Sequence, residues 1–191
     1  MNNTLINHIS EQLALEETLY KVIEEQLELI AETDYPDAKA ILQKTHQLLE
    51  QSYSNLNSQL DKFEAAIKKE ESSKPYLNGT TPPKTQVKAT AKELPRQLLI
   101  SKILRDDYSA LNLITMGNTL LHTAALALED EELATLALKH LSGLAPVVVR
   151  LGELLPEVVT RELKTEFQKI DANVAQLALN NSKLAWKKVS L

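Results

Sequence analysis

Apolar residues recur at three- and four-residue steps through most of this 191-residue chain, and only four glycines and seven prolines interrupt them. That period places one face of a helix in a core. A sandwich or barrel would need far more tight turns. In the first half Ile6, Ile9, Leu13, Tyr20, Ile23, Leu27 and Ile30 form one stripe. Thr33-Asp34-Tyr35-Pro36-Asp37 then supplies a cap-type residue and a Pro at a helix start. Leu42, Leu49, Tyr53, Leu56, Leu60, Phe63 and Ile67 form the facing stripe. Two long helices joined by a short link pack antiparallel, so residues 1–69 read as a helical hairpin.

From 70 to 95 the period vanishes into a Ser-, Thr-, Pro- and Lys-rich stretch with Asn78-Gly79 and Pro82-Pro83. A connection this long calls for a reason: a crossover along a bundle, or a tether between two halves. Residues 96–160 repeat the hairpin plan. Leu98, Ser101, Leu104, Tyr108, Leu111, Thr115 and Asn118 make one stripe, Glu129-Asp130 the turn, and Leu133, Leu136, His140, Leu144 and Leu151 the return. Pro146 and Pro156 are expected to kink or restart that return helix. Residues 161–191 read as a C-terminal helical extension carrying the only Trp, Trp186. The expected fold is all-α, an antiparallel four-helix bundle within a single domain.

Composition narrows the function. The chain has no cysteine, which removes disulfides, thiolate catalysis and every Cys-based metal site. The N-terminus lacks a basic, apolar leader and no run of about 18 uninterrupted apolar residues occurs. The expectation is therefore a cytoplasmic protein with no membrane partner. Net charge is −5, unevenly spread. Glu11, Glu16, Glu17, Glu24, Glu25, Glu28 and Glu32 make the first helix acidic. Lys68, Lys69, Lys74, Lys84, Lys88, Lys92 and Arg96 make the middle basic. Without interleaved aromatics or a nucleic-acid motif, that basic stretch reads as a solvated linker and no nucleic-acid partner is expected. A Gly-rich phosphate loop, a Gly-x-Ser-x-Gly elbow and a His-Glu-x-x-His helix are all missing.

Counting outward from a turn near Tyr35 sets Glu16 or Glu17 level with the segment Glu50-Gln51-Ser52-Tyr53. The same count about Asp130 sets Asn112 level with Ala145 to Val148. With Leu15-Glu16-Glu17 and Asp107-Tyr108, this hairpin-crossover-hairpin plan resembles the ferritin-like superfamily, including small stress-related bacterial bundles, over residues 1–160. That family holds two metals with a Glu from each of two helices and a Glu-x-x-His from each of the others. The resemblance implies metal ligation by Glu16, Glu17, Glu50 and Tyr53, with Tyr53 in the place of the His. Asn112 and Ala145 to Val148 leave the second half-site without ligands, so the expected site is incomplete.

His122 and His140 form a second constellation, nearly level across the second turn, with core-edge histidines as the plainer reading. His46 is set level with Glu24 or Glu25, and His8 is solvated. Three functions follow. The leading one is a ferritin-like bundle with a degenerate metal site and no catalytic residues, acting by binding or assembly, with a homodimer or another protein as partner. An alternative is a helical interaction module without metal ancestry, suggested by Ala145 to Leu155, apolar almost all round. The third is an oxidase using iron or manganese; under the first two no cofactor is expected.

Overall fold

The computed structural model describes residues 2–30, 35–71, 99–167, 169–171 and 173–187. They form five α-helices and, among the described residues, no strand: α1 (Asn2–Ile30), α2 (Pro36–Glu71), α3 (Ile100–Ala127), α4 (Glu131–Glu166) and α5 (Val174–Lys187). The Thr33-Asp34 turn and most of the expected 70–95 connection lie outside the described residues.

Helix α1 packs on α2 and α3, and α4 packs on α3 and α2, so the four long helices contact one another round a square. Side-chain bonds fix their directions. Gln12 of α1 reaches the Ile114 carbonyl of α3, whereas Gln26 reaches Asp107, so numbering falls on α3 as it rises on α1. Ser52 of α2 meets His140 of α4, and Lys62 meets Glu132, so these two are antiparallel as well. Helices α2 and α3 therefore run in the same direction.

Two apolar clusters fill the bundle. The larger includes Ile23, Ile30, Leu42, Leu49, Leu104, Leu111, Ile114, Leu144, Val147 and Leu151. The smaller includes Leu5, Ile9, Leu56, Leu121, Leu133 and Ala137. Fully burying side chains of this size contributes roughly 1.5–3 kcal/mol each, which outweighs the polar residues discussed below.

The α3–α4 turn is built locally. Asp130 N–H donates to the Ala125 carbonyl (2.9 Å) and Glu129 N–H to that of Leu126 (3.2 Å), a Schellman closure. Glu129 takes the left-handed position at φ 59°. The Asp130 carboxylate then accepts from Leu133 N–H at 2.9 Å and starts α4. At the other end of this hairpin Glu162 accepts from Ser101 N–H at 2.9 Å, closing a free donor in the first turn of α3. Arg161 lies 5.3 Å over the Tyr35 ring, tying α4 to the start of α2.

Of the expected kink or restart at each proline, the restart is corrected: α4 runs through both Pro146 and Pro156. Each removes one helical N–H. Pro146 is exposed and Pro156 half-exposed, so water reaches the side of the helix where a hydrogen bond is lost. Among the described residues α4 is also the one helix long and apolar enough to cross a membrane by length and composition. In this fold its inward stripe forms bundle core. Helix α5 packs along α4, with Lys183 bonded to Glu153 at 2.6 Å, and buries no residue of its own.

Candidate functional site

Between the two apolar clusters a layer of polar side chains crosses the bundle, drawn from all four long helices. Gln12 and Glu16 come from α1, Ser52 and Asn55 from α2, Asn118 from α3 and His140 from α4. Gln12, Glu16, Ser52, Asn118 and His140 are buried, and Glu16 is wholly inaccessible. Each sits at a core position of its helix, so folding the apolar stripes inward carries these groups inward with them.

The bonds form one connected chain. The Gln12 amide donates to Glu16 Oε1 at 2.8 Å and to the Ile114 carbonyl at 3.1 Å. The Ser52 hydroxyl donates to Glu16 Oε1 at 2.9 Å. With its proton committed there, Ser52 Oγ accepts from His140 Nδ1, 2.8 Å away. Asn55 Nδ2 lies 3.4 Å from His140 Nε2 and donates to it, which fixes a neutral ring protonated on Nδ1. The Asn118 amide donates to the Ile114 carbonyl at 3.2 Å.

Electrostatics point the same way. Burial pushes the Glu16 carboxyl above its usual range, against hydrogen bonds from Gln12, Ser52 and Asn118. Burial, with Lys139 nearby, lowers His140 to about 4. Glu16 Oε2, Gln12 Oε1 and Asn118 Oδ1 are buried oxygens without a full hydrogen bond. A protonated Glu16 supplies a donor to that group of acceptors. The layer is therefore a connected hydrogen-bond network in which burial favours the protonated form of Glu16. Ser52 is no nucleophile: its proton points at the carboxylate and substrate has no access to it.

A second buried carboxylate lies further along the bundle. Asp107 of α3 accepts from Gln26 of α1 at 3.0 Å. Burial raises it to about 6, against the Gln26 hydrogen bond and with Asp106 adding to the rise. Asp107 Oδ2 and Gln26 Oε1 have no bonding partner.

The residues expected to ligate metal do not converge. Glu16 is in the layer, but Glu17 turns outward to Lys21 at 2.5 Å. Glu50 is exposed, and Tyr53 packs half-buried against the smaller apolar cluster. His122 Nδ1 bonds the Ala134 carbonyl at 2.8 Å, whereas His140 bonds Ser52 and Asn55, so the two rings serve separate partners. His46 stacks on Tyr20 at 4.2 Å between ring centroids. Among the described residues no three His, Cys, Asp or Glu side chains gather where one metal ion would sit.

The second hairpin meets the first at Asn118 and His140, not at Asn112 and Ala145 to Val148. The two hairpins have unequal arms from turn to layer, and that offset is set by the α1–α3 packing. Sequence reasoning missed Gln12, Asn55 and Gln26, and it noted Ser52, Asp107 and Asn118 without giving them a place in a site. The available signal was a polar residue in apolar register, such as Gln12 between Ile9 and Glu16. No protein-family model, curated protein or solved structure matches the chain.

Proposed function

We propose that this chain is a ferritin-like bundle whose di-metal layer has become a hydrogen-bond network, and that it acts by binding or assembly rather than catalysis. The supporting observation is the placement of the polar layer. Ferritin-like sites take one Glu from each of two helices and an i, i+3 Glu-x-x-His pair from each of the others. In the corresponding positions this chain has Glu16 on α1, Ser52 and Asn55 on α2, Asn118 on α3, and Ala137 and His140 on α4. Glu16 and His140 are the two that keep a ligand's chemistry. Asn and Ser keep the layer polar without its negative charge, and one carboxylate with one imidazole is too few for hard iron.

The test compares metal content, after loading with Fe(II) or Mn(II) and desalting, between the parent and Ser52→Glu with Asn118→Glu. The proposal expects little bound metal in the parent and a clear gain in the double variant, with helicity retained by circular dichroism. Stoichiometric metal in the parent, lost in Glu16→Ala, would instead favour the oxidase reading. A folded double variant that gains no metal would detach the layer from the ferritin-like plan.

A further inference from the structure

We propose that the outer face of the α3–α4 hairpin docks a second copy of this chain, antiparallel about a two-fold axis. This deepens the assembly half of the reading above, and rests on it only for the bundle's use as a binding body. The outward surface is sharply divided. Helix α2 exposes Asp37, Lys44, Glu50, Asp61, Lys62 and Glu64, and no large hydrophobic side chain among its described residues. Helix α3, in contrast, carries no charged residue from Tyr108 to Leu128. Along that stretch Met116 is 60% exposed and Leu120 59%. On α4, Lys139 is the single charge between Leu133 and Val149, and Val149 is 62% exposed.

What such a face accepts is decided by its ends. Exposed Lys102 and Arg105 lie at one end, with Arg105 bonded to Asp106, and Arg150 lies nearer the middle, 3.9 Å from Glu153. At the other end the turn presents exposed Glu129 and Glu131, while Glu132 is held by Gln59 and Lys62 of α2. The two ends sit about 15–20 Å on either side of Met116. A two-fold axis near Met116 brings the basic end of each copy beside the acidic end of the other, whereas a parallel pairing stacks like charges. The face is self-complementary in that one orientation.

Size agrees. The face, interrupted by Lys139 alone, is about 27 Å long and about 20 Å wide. Helix α5, held at Glu153 by Lys183, adds exposed Leu184 and the 72%-exposed Trp186. Together these approach the roughly 800 Å² per partner that stable dimers bury.

The experiment is light scattering behind size exclusion on the full chain, over a concentration series. Parent protein is expected at twice its 21.3 kDa chain mass. Met116→Glu with Leu120→Glu, both at exposed positions, is expected at the single-chain mass with helicity unchanged. Glu131→Lys is expected to weaken the dimer at least tenfold, and adding Lys102→Glu to restore it. A parent that is monomeric throughout, or a Met116→Glu/Leu120→Glu variant that still dimerises, overturns the proposal. Monomeric parent that floats with phosphatidylcholine vesicles, and loses this in the same variant, overturns it in favour of a lipid surface. None of these outcomes changes metal content, so this inference and the metal-layer reading fail separately.

Discussion

At the residue scale burial raises both buried carboxyls above their ordinary range, and Asp107 gives the sharper consequence. Its folded value of about 6 stands above its ordinary 3.8. A carboxyl raised on folding contributes stability that is complete below its unfolded value and lost as pH rises through its folded value. Between pH ~4 and ~6 Asp107 therefore takes stability away, by roughly 3 kcal/mol in all. Glu16 acts in the same direction. His140, lowered to about 4, has the opposite sign: its contribution is present above the ordinary histidine value of 6.5 and is lost as pH falls through 4. Because these partly cancel in the parent, the comparison to make is Asp107→Asn. Asn keeps the shape, is always neutral, and offers a donor to the unpartnered Gln26 Oε1. Urea unfolding should show the variant equal to the parent near pH 4 and more stable above pH 6, by up to about 3 kcal/mol. A difference that does not change with pH would mean that Asp107 does not titrate on folding as described.

At the element scale α3 shows how the polar layer is paid for in backbone. Gly117 is in mid-helix, where Ala would normally be favoured by about 1 kcal/mol. A Cβ placed there would stand 2.0 Å from Gln12 Oε1. Gln12 is 2% exposed and holds both Glu16 and the Ile114 carbonyl, so it has no open direction in which to retreat. Gly117→Ala should thus lower stability by about 1–2 kcal/mol, against the helix-propensity expectation, as breaking buried hydrogen bonds costs about that much. Thermal unfolding measures it, and a gain in stability would show that Gln12 can be displaced freely. The same helix shows what the sequence made legible. Leu104, Leu111 and Asn118 were readable from their period and are buried. Asp107 and Ile114 were not: apolar counting favoured Tyr108 and Thr115, one residue along, and both are half-buried against the neighbouring helices. One residue is 100° of rotation, and only the packing against α1 and α4 resolves it.

At the scale of the whole molecule, the all-helical fold and the α3–α4 turn were readable because both are written in local chemistry: period, Asp130 as cap, acidic residues in the first turn of α4. The site was readable only in part. Glu16 and His140 were singled out, but their connection through Ser52 depends on how far α2 and α4 slide past each other, and no local pattern encodes that register. The partnership of one carboxylate, one hydroxyl and one imidazole from three helices is a property of the assembled bundle. In this layer a neutral His140 is a hydrogen-bond donor to Ser52 through Nδ1. The measurement that tests it most directly is the nitrogen-15 NMR spectrum of the His140 ring, assigned with His140→Gln, at pH 7 with and without Mn(II). A neutral ring protonated on Nδ1, unbroadened by the metal, is the predicted result. A ring protonated on both nitrogens, or a signal lost on adding Mn(II), would contradict it.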